Sequence, residues 1–279
     1  MNNKVDYHLH TYYSDGSMSP TDIVKRANDM EYMEIAITDH DGIDGVREAQ
    51  IAGNALGLSV ISGIELAAKL DDEEAWGEIS LHILGHRINI KNKELLAELA
   101  IIKEKREQRN EKLLKALADM GYELTEEDLF FSEEQEYIGK PLIARAMCKK
   151  GYIQDPKEAF EAGKFLESPE IASIKKDKIT VYRAIELIKG ASGTASLAHP
   201  MKIKGLGERG SEEFYANLDK MLRKLKIAGL GGLECFHSAH SEEESLKLVS
   251  LAEKYHLHIL AGSDYHGPEF EEGVPGSKE

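Results

Sequence analysis

Cysteine is scarce in this chain: Cys148 and Cys235 are the two among 279 residues. They lie far apart and form no CxxC, which argues against a disulfide framework and fits a reducing cytoplasm. Long apolar runs are absent as well. No stretch of about 18 apolar residues occurs, so no helix is expected to span a bilayer. Met1-Asn2-Asn3-Lys4 leads into a polar strand without a signal-peptide core, and a cytoplasmic location is the expectation. Positive charge is in the minority, with 35 Lys and Arg against 50 Asp and Glu and a formal net charge of −15. That balance argues against a basic grip on duplex nucleic acid. It leaves room for an anionic substrate, because bound divalent metals would be the largest local charges in a site. No internal repeat and no low-complexity segment is present.

What the chain does have is a set of short apolar runs, each delivering metal-binding side chains. Strands are predicted near residues 4–9, 35–38, 58–64, 79–86, 194–198, 231–236 and 257–262. Helices are expected between several of them. Ser19-Pro20 opens one with a cap and a proline at its first position. Others cover about 43–56, the turns from Thr180 to Gly190, 211–228 and 241–255, the last opened by the capping box Ser241-Glu242-Glu243-Glu244. Alternating strand and helix predicts an α/β fold with a parallel sheet, closed or nearly closed into a barrel.

Residues 89–170 break the rhythm. Leu95 to Met120 reads as one long charged helix, followed by short helices at Glu126–Phe130, Leu142–Lys149 and Pro156–Phe160. This is expected to be an all-helical insertion that caps the site, with 1–88 and 171–279 forming the barrel domain. Gly273 to Ser277 reads as a loose tail.

The donors follow the strands. His8 and His10 point the same way from one strand, with Asp15 behind them. Asp39-His40, Glu65, His199, Glu234 to His237, Asp264 and His266 come at or just past other strand ends, while His82 lies within its run. In a parallel barrel those ends carry function. Imidazole nitrogen with carboxylate oxygen suits Mn, Fe or Zn. The donors are too many for one ion, so two or three divalent ions sharing a bridging carboxylate are expected. Clustered ions activate water and hold the entering and leaving oxygens of an in-line displacement at phosphorus.

The motif series His8-Leu9-His10, Thr38-Asp39-His40-Asp41, Gly63-Ile64-Glu65, His82-Ile83-Leu84-Gly85, Ala198-His199-Pro200 and Gly262-Ser263-Asp264-Tyr265-His266-Gly267 resembles the PHP (polymerase and histidinol phosphatase) superfamily. The resemblance implies a distorted (β/α)7 barrel with a trinuclear metal centre, manganese first, zinc or iron as alternatives. It implies one metal on His8, His10, Glu65 and Asp264, a second on Glu65, His82 and His199, and a third on Asp15, His40 and His266. The chain is similar to the stand-alone branch that hydrolyses 3′,5′-nucleoside bisphosphates or trims short RNA from the 5′ end. Its insertion often reads Gly-Arg-Pro-His-Ile-Ala-Arg-Ala; here Gly139-Lys140-Pro141-Leu142-Ile143-Ala144-Arg145-Ala146 stands there. Lys140 keeps the charge without the planar fork, and Leu142 loses the polar group. Lys140, Arg145, Lys175 and Lys176 are the candidate phosphate contacts. Histidinol-phosphate phosphatase and a non-catalytic PHP module of the kind attached to DNA polymerases are the rival readings.

Glu65 is expected to bridge the metals in catalysis. His237 and His240 follow a strand end, and one of them is expected to meet the substrate or protonate the leaving oxygen. Asp39 is expected to orient His40, and Asp41 to cap the next helix. His86 reads as an ordinary loop-facing residue, and Lys103 to Glu107 as a solvated helix face. Cys235 reads as a buried thiol. His256-Leu257-His258 is a second HxH, but it begins its strand and so belongs at the other end of the barrel.

Overall fold

In the computed structural model, which describes residues 4–72, 76–131, 135 and 137–268, the predicted apolar runs pair into one sheet. The strands are β1 Val5–Leu9, β2 Glu34–Ile37, β3 Ser59–Asp72, β4 Gly77–His86, β5 Ile179–Thr180, β6 Thr194–Leu197, β7 Gly232–His237 and β8 His258–Gly262. Seven of them follow in the order β1-β2-β3-β4-β6-β7-β8, with β5 paired off this path to β3. Past the strand ends β8 meets β1 again: Asp264 N–H donates to His8 O (2.9 Å) and His10 N–H to Tyr265 O (3.0 Å). The result is the distorted barrel that the motif series implies.

The sheet is not wholly parallel, and this corrects the sequence reading. β4 runs antiparallel to both β3 and β6. The physical reason is the short link between Asp72 and Gly77: a few residues can turn a hairpin but cannot make a crossover. The same hairpin carries β3 eight residues beyond the expected end at 64. Glu65 therefore sits within a strand, opposite Leu84, not after one.

The helices start where the caps predict. In α1 (Pro20–Asp29) the Ser19 hydroxyl accepts from Asp22 N–H, and Ile23, Val24 and Ala27 are buried. α2 is Asp44–Leu56; α3 is Lys93–Asp119, one continuous helix. α4 (Glu126–Leu129), α5 (Lys140–Lys149), two 3-10 turns at Pro156–Phe160 and Phe165–Glu167, and α6 (Pro169–Ala172) complete the inserted segment. α7 (Val181–Gly190), α8 (Glu212–Ala228) and α9 (Glu242–Lys254) return to the barrel, α9 with the Ser241–Glu244 capping box in place.

Packing splits α3 between two cores. Leu95, Leu99 and Ile102 join the barrel core of β3, β4, α7 and α8. Leu113 and Leu117 join a separate core with Leu129, Ile143, Met147, Leu166 and Ile171. A helix of about 40 Å thus packs its first half on the barrel core and its second half on the helical one. No described helix is long and apolar enough to cross a membrane. The Gly273–Ser277 segment lies outside the described residues.

Candidate metal centre

Strand direction brings the donors together. β1 delivers His8 and His10, the turn after it Asp15, the end of β2 His40, and the end of β6 His199. Asp264 and His266 follow β8, while Glu65 and His82 come from the β3–β4 hairpin. Glu65 is the centre of the array. Its carboxylate lies 3.3 Å from His8 Nε2, 3.3 Å from His10 Nε2, 2.9 Å from His40 Nδ1, 2.9 Å from His82 Nδ1 and 3.0 Å from His199 Nε2.

Three donor groups have ligand atoms within 4.8 Å of one another: His8, His10, Glu65 and Asp264; His40, Glu65 and His82; and His10, Asp15, His40 and His266. His199 shares the Glu65 oxygen that His82 faces. His40 reaches two groups, where the motif assignment gave it to one.

The donor set fits divalent cations on physical grounds. His8 Nε2, His10 Nε2, His40 Nδ1, His199 Nδ1, Asp15 Oδ1 and Glu65 Oε2 are buried and make no hydrogen bond. Each such group costs about 1–3 kcal/mol if left unpaired. Burial disfavours a charge on His8, yet Glu65, Glu234 and Asp264 raise its pKa well above the ordinary value. His266 is pushed up to about 10, Asp15 and its own hydrogen bonds outweighing burial. On the acid side, burial is overcome by the imidazoles, and Glu65 and Asp264 stay well below the usual carboxylate range. Imidazoles that hold protons as firmly as His8 and His266, among carboxylates kept ionised, mark a site that attracts cations, and a divalent ion would displace those protons; His82 differs, burial lowering its pKa to about 4.

Tautomers are set from behind. His8 Nδ1 lies 2.9 Å from Glu234 Oε1 and His266 Nδ1 lies 2.8 Å from Asp264 O. Both rings donate there, which leaves each Nε2 lone pair facing the cluster. Glu234 also accepts from His199 N–H (2.5 Å), and its pKa is held at about 2: burial would raise it, and His8 outweighs that. Sequence reading placed Glu234 among the donors but gave it no role. The signal it lacked is a bulge: β7 takes two residues, Glu234 to Phe236, for one of β8. That step lets Glu234 and His237 both turn inward. Gly262 is required here, because a Cβ would collide with Glu234 Oε1 and His8 Cβ.

Several expectations are corrected. Asp39 does not touch His40; it accepts from Thr11 N–H (2.7 Å), Thr11 Oγ1 (2.8 Å) and Ser14 Oγ (2.6 Å), fixing the turn after β1. Asp41 caps no helix. It accepts from Lys176 Nζ (2.7 Å) and Ala67 N–H (3.0 Å), with Arg106 at 3.9 Å. Its φ of 50° shows a backbone bent to reach them. His86 faces no loop: it is buried, with Nε2 2.8 Å from Tyr7 O. Of the Lys103–Glu107 run, Glu104, Lys105 and Glu107 are exposed as expected, but Arg106 is buried, as is Arg109 one turn on. The Arg106 guanidinium covers Tyr137, whose other neighbour is the His40 ring. Only the helical context reveals this, since both arginines lie on the inward stripe of α3 with Ile102 and Leu113.

A cavity of about 450 Å³ opens between the donors and the cap, lined by Asp15, His40 and His82 and by Arg109, Lys140, Lys175, Lys176 and Lys178. Lys140 Nζ is held by Leu166 O (2.7 Å) and Glu167 (3.0 Å). Leu142 is buried. Arg145 does not line this cavity; its guanidinium lies 4.5 Å from the Phe131 ring centre. His237 is buried behind Asp264, and His240 lies behind His237 with Nδ1 on Cys235 O (3.2 Å). Neither lines the cavity. Cys235 is buried and its pKa is pushed up to about 12 by burial, an inert thiol. His256 and His258 are exposed at the start of β8.

The family model of the PHP domain matches residues 6–266. The chain is 27% identical over 265 residues to a 3′,5′-nucleoside bisphosphate phosphatase of Chromobacterium violaceum, covering 95% of this chain and 87% of that one. It is 27% identical over 268 residues to a 5′-3′ exoribonuclease of Haemophilus influenzae, covering 96% and 92%. A solved structure from Bifidobacterium adolescentis, described as a candidate metal-dependent phosphoesterase, superimposes with a TM-score of 0.81 at 27% identity, covering 98% of this chain and 91% of that one. The chain belongs to the PHP domain family.

Proposed function

We propose that this PHP-family chain is a metal-dependent phosphoesterase acting on a small phosphomonoester, with a nucleoside 3′,5′-bisphosphate or a short oligonucleotide as the first candidates. The observation that carries the reading is the Glu65 carboxylate amid five imidazoles, opening on a cavity rimmed by Arg109 and four lysines. The names of the two relatives support the substrate class. One is a phosphomonoesterase and one cleaves RNA, so the choice between monoester and diester rests on assay.

We assign His8, His10, Asp15, His40, Glu65, His82, His199, Asp264 and His266 to hold up to three ions. When bound there, the ions would supply an activated water and Lewis acidity at phosphorus. The chain's own residues do the rest. Glu65, shared by two of the donor groups, would hold more than one ion. Glu234 holds the His8 ring and the His199 backbone. Lys175, Lys176, Lys178 and Arg109 offset phosphate charge from the cap side. The Asp41–Lys176 contact holds one of those cations over the donors. Because the cap closes over the cavity, a small substrate fits better than a duplex.

The test is phosphate release by the purified protein with Mn, across nucleoside 3′,5′-bisphosphates, short 5′-phosphorylated RNAs, histidinol phosphate and sugar phosphates. Turnover of a nucleotide that stops with chelator and returns with Mn is expected. Turnover that persists in chelator overturns the mechanism, and preference for histidinol phosphate overturns the substrate class. Nucleotide binding without release favours the non-catalytic module.

A further inference from the structure

Asp264 presents two different faces. Its Oδ1 lies 3.4 Å from His8 Nε2 and 3.2 Å from His10 Nε2, inside the donor cluster. Its Oδ2 points outward and meets Lys202 Nζ at 2.9 Å and His237 Nε2 at 3.4 Å. Lys202 ends the 3-10 turn Pro200–Lys202 that follows His199, and it lines a second cavity, of about 520 Å³, beside His82, His199 and His266. His237 is the last residue of β7.

The protonation of His237 follows from its other nitrogen. Ala239 N–H donates to His237 Nδ1 at 2.9 Å. That nitrogen must carry a lone pair, so the ring proton sits on Nε2. A protonated Nε2 facing a carboxylate oxygen is a hydrogen-bond donor and has no lone pair for a metal. His8 and His266 show the opposite arrangement, donating from Nδ1 and leaving Nε2 open toward the cluster. The Asp264 backbone has φ 57°, so the carboxylate does not reach this orientation from a relaxed strand end.

We propose that Lys202 and His237 are positioning residues: together they hold Asp264 Oδ2, so that Oδ1 alone is presented to the ion bound by His8, His10 and Glu65. This rests on the metal reading above. It sets His237 apart from the catalytic role expected of it and gives Lys202 its first role.

The test is metal content by elemental analysis, and Mn affinity by competition with a fluorescent chelator, for the wild type, His237→Phe, His237→Gln and Lys202→Met, with kcat and KM alongside. A lost partner behind a ligand weakens metal binding by about 10–100-fold. Weakening in that range is expected for His237→Phe and Lys202→Met, with His237→Gln closer to wild type because its amide still donates. Melting curves in chelator, matched to wild type, show that the fold is intact. Unchanged Mn affinity in His237→Phe overturns the His237 role. Loss of one whole metal equivalent in both His237 variants overturns it in favour of a direct ligand. A Lys202→Met protein with a raised KM and unaltered Mn affinity makes Lys202 a substrate contact instead. A wild type that binds no divalent ion defeats the metal reading itself, which the variants alone cannot do.

Discussion

Two HxH sequences sit at opposite ends of one barrel. His8 and His10 come at the end of β1, fully buried among Glu65, Asp264 and further imidazoles; His256 and His258 come at the start of β8, exposed. The spacing is the same and the chemistry is not. What separates them is strand direction, which sends one pair into a carboxylate cage and leaves the other in water. His86 marks a third case. It too lies at the far end, because β4 runs backwards, but it is buried against Tyr7.

The sharpest way to break this contrast is at the bridging carboxylate. Glu65→Gln removes the charge that five imidazoles face, and kcat with Mn should fall by at least ~10²-fold. Activity near wild type would show that the cage is not the reacting end. Next in size is Lys176→Met, which strips a cation from the cavity rim and leaves Asp41 without its close partner. A loss of about 10–100-fold in kcat/KM is expected, carried mainly by KM, and a pure kcat effect would place Lys176 elsewhere in the cycle.

The far end should respond through stability alone. Burial lowers the His86 pKa to about 4, against a partial offset from Tyr7. The unfolded chain therefore binds more protons than the folded one between about pH 6.5 and 4, so stability falls as pH drops through that window. Comparing melting temperatures at pH 7 and pH 5 should show a smaller acid loss in His86→Gln than in wild type; equal losses would mean that folded His86 takes up its proton as readily as the unfolded chain does. Smallest of all, replacing His256 and His258 together by Gln should leave kcat within about two-fold, as for exposed side chains generally. A large fall would put them at the wrong end of the molecule.

Much of this was legible in the chain itself. The caps at Ser19, Thr180 and Ser241 start helices where they were expected, because capping is local. The nine candidate donors were legible because they follow or fall within short apolar runs. Three things were not. The reversal of β4 depends on pairing between strands, which no single run records. The inward turn of Glu234 comes from one bulged residue, invisible to a period-two reading. Arg106 looked like solvated charge because α3 is charged all along its length; its burial comes from contacts distant in sequence, with Tyr137 and Asp41 as partners.

The sequence by itself determined which side chains could bind a cation and which segments would be strand or helix, since periodicity and capping act over a few residues. Only the tertiary structure decided which histidines meet. It turned β4 around, set Glu65 among five rings, and put Lys202 and His237 behind Asp264. Those are contacts between residues up to hundreds of positions apart, and their geometry is fixed by how strands close into a barrel rather than by any neighbour along the chain.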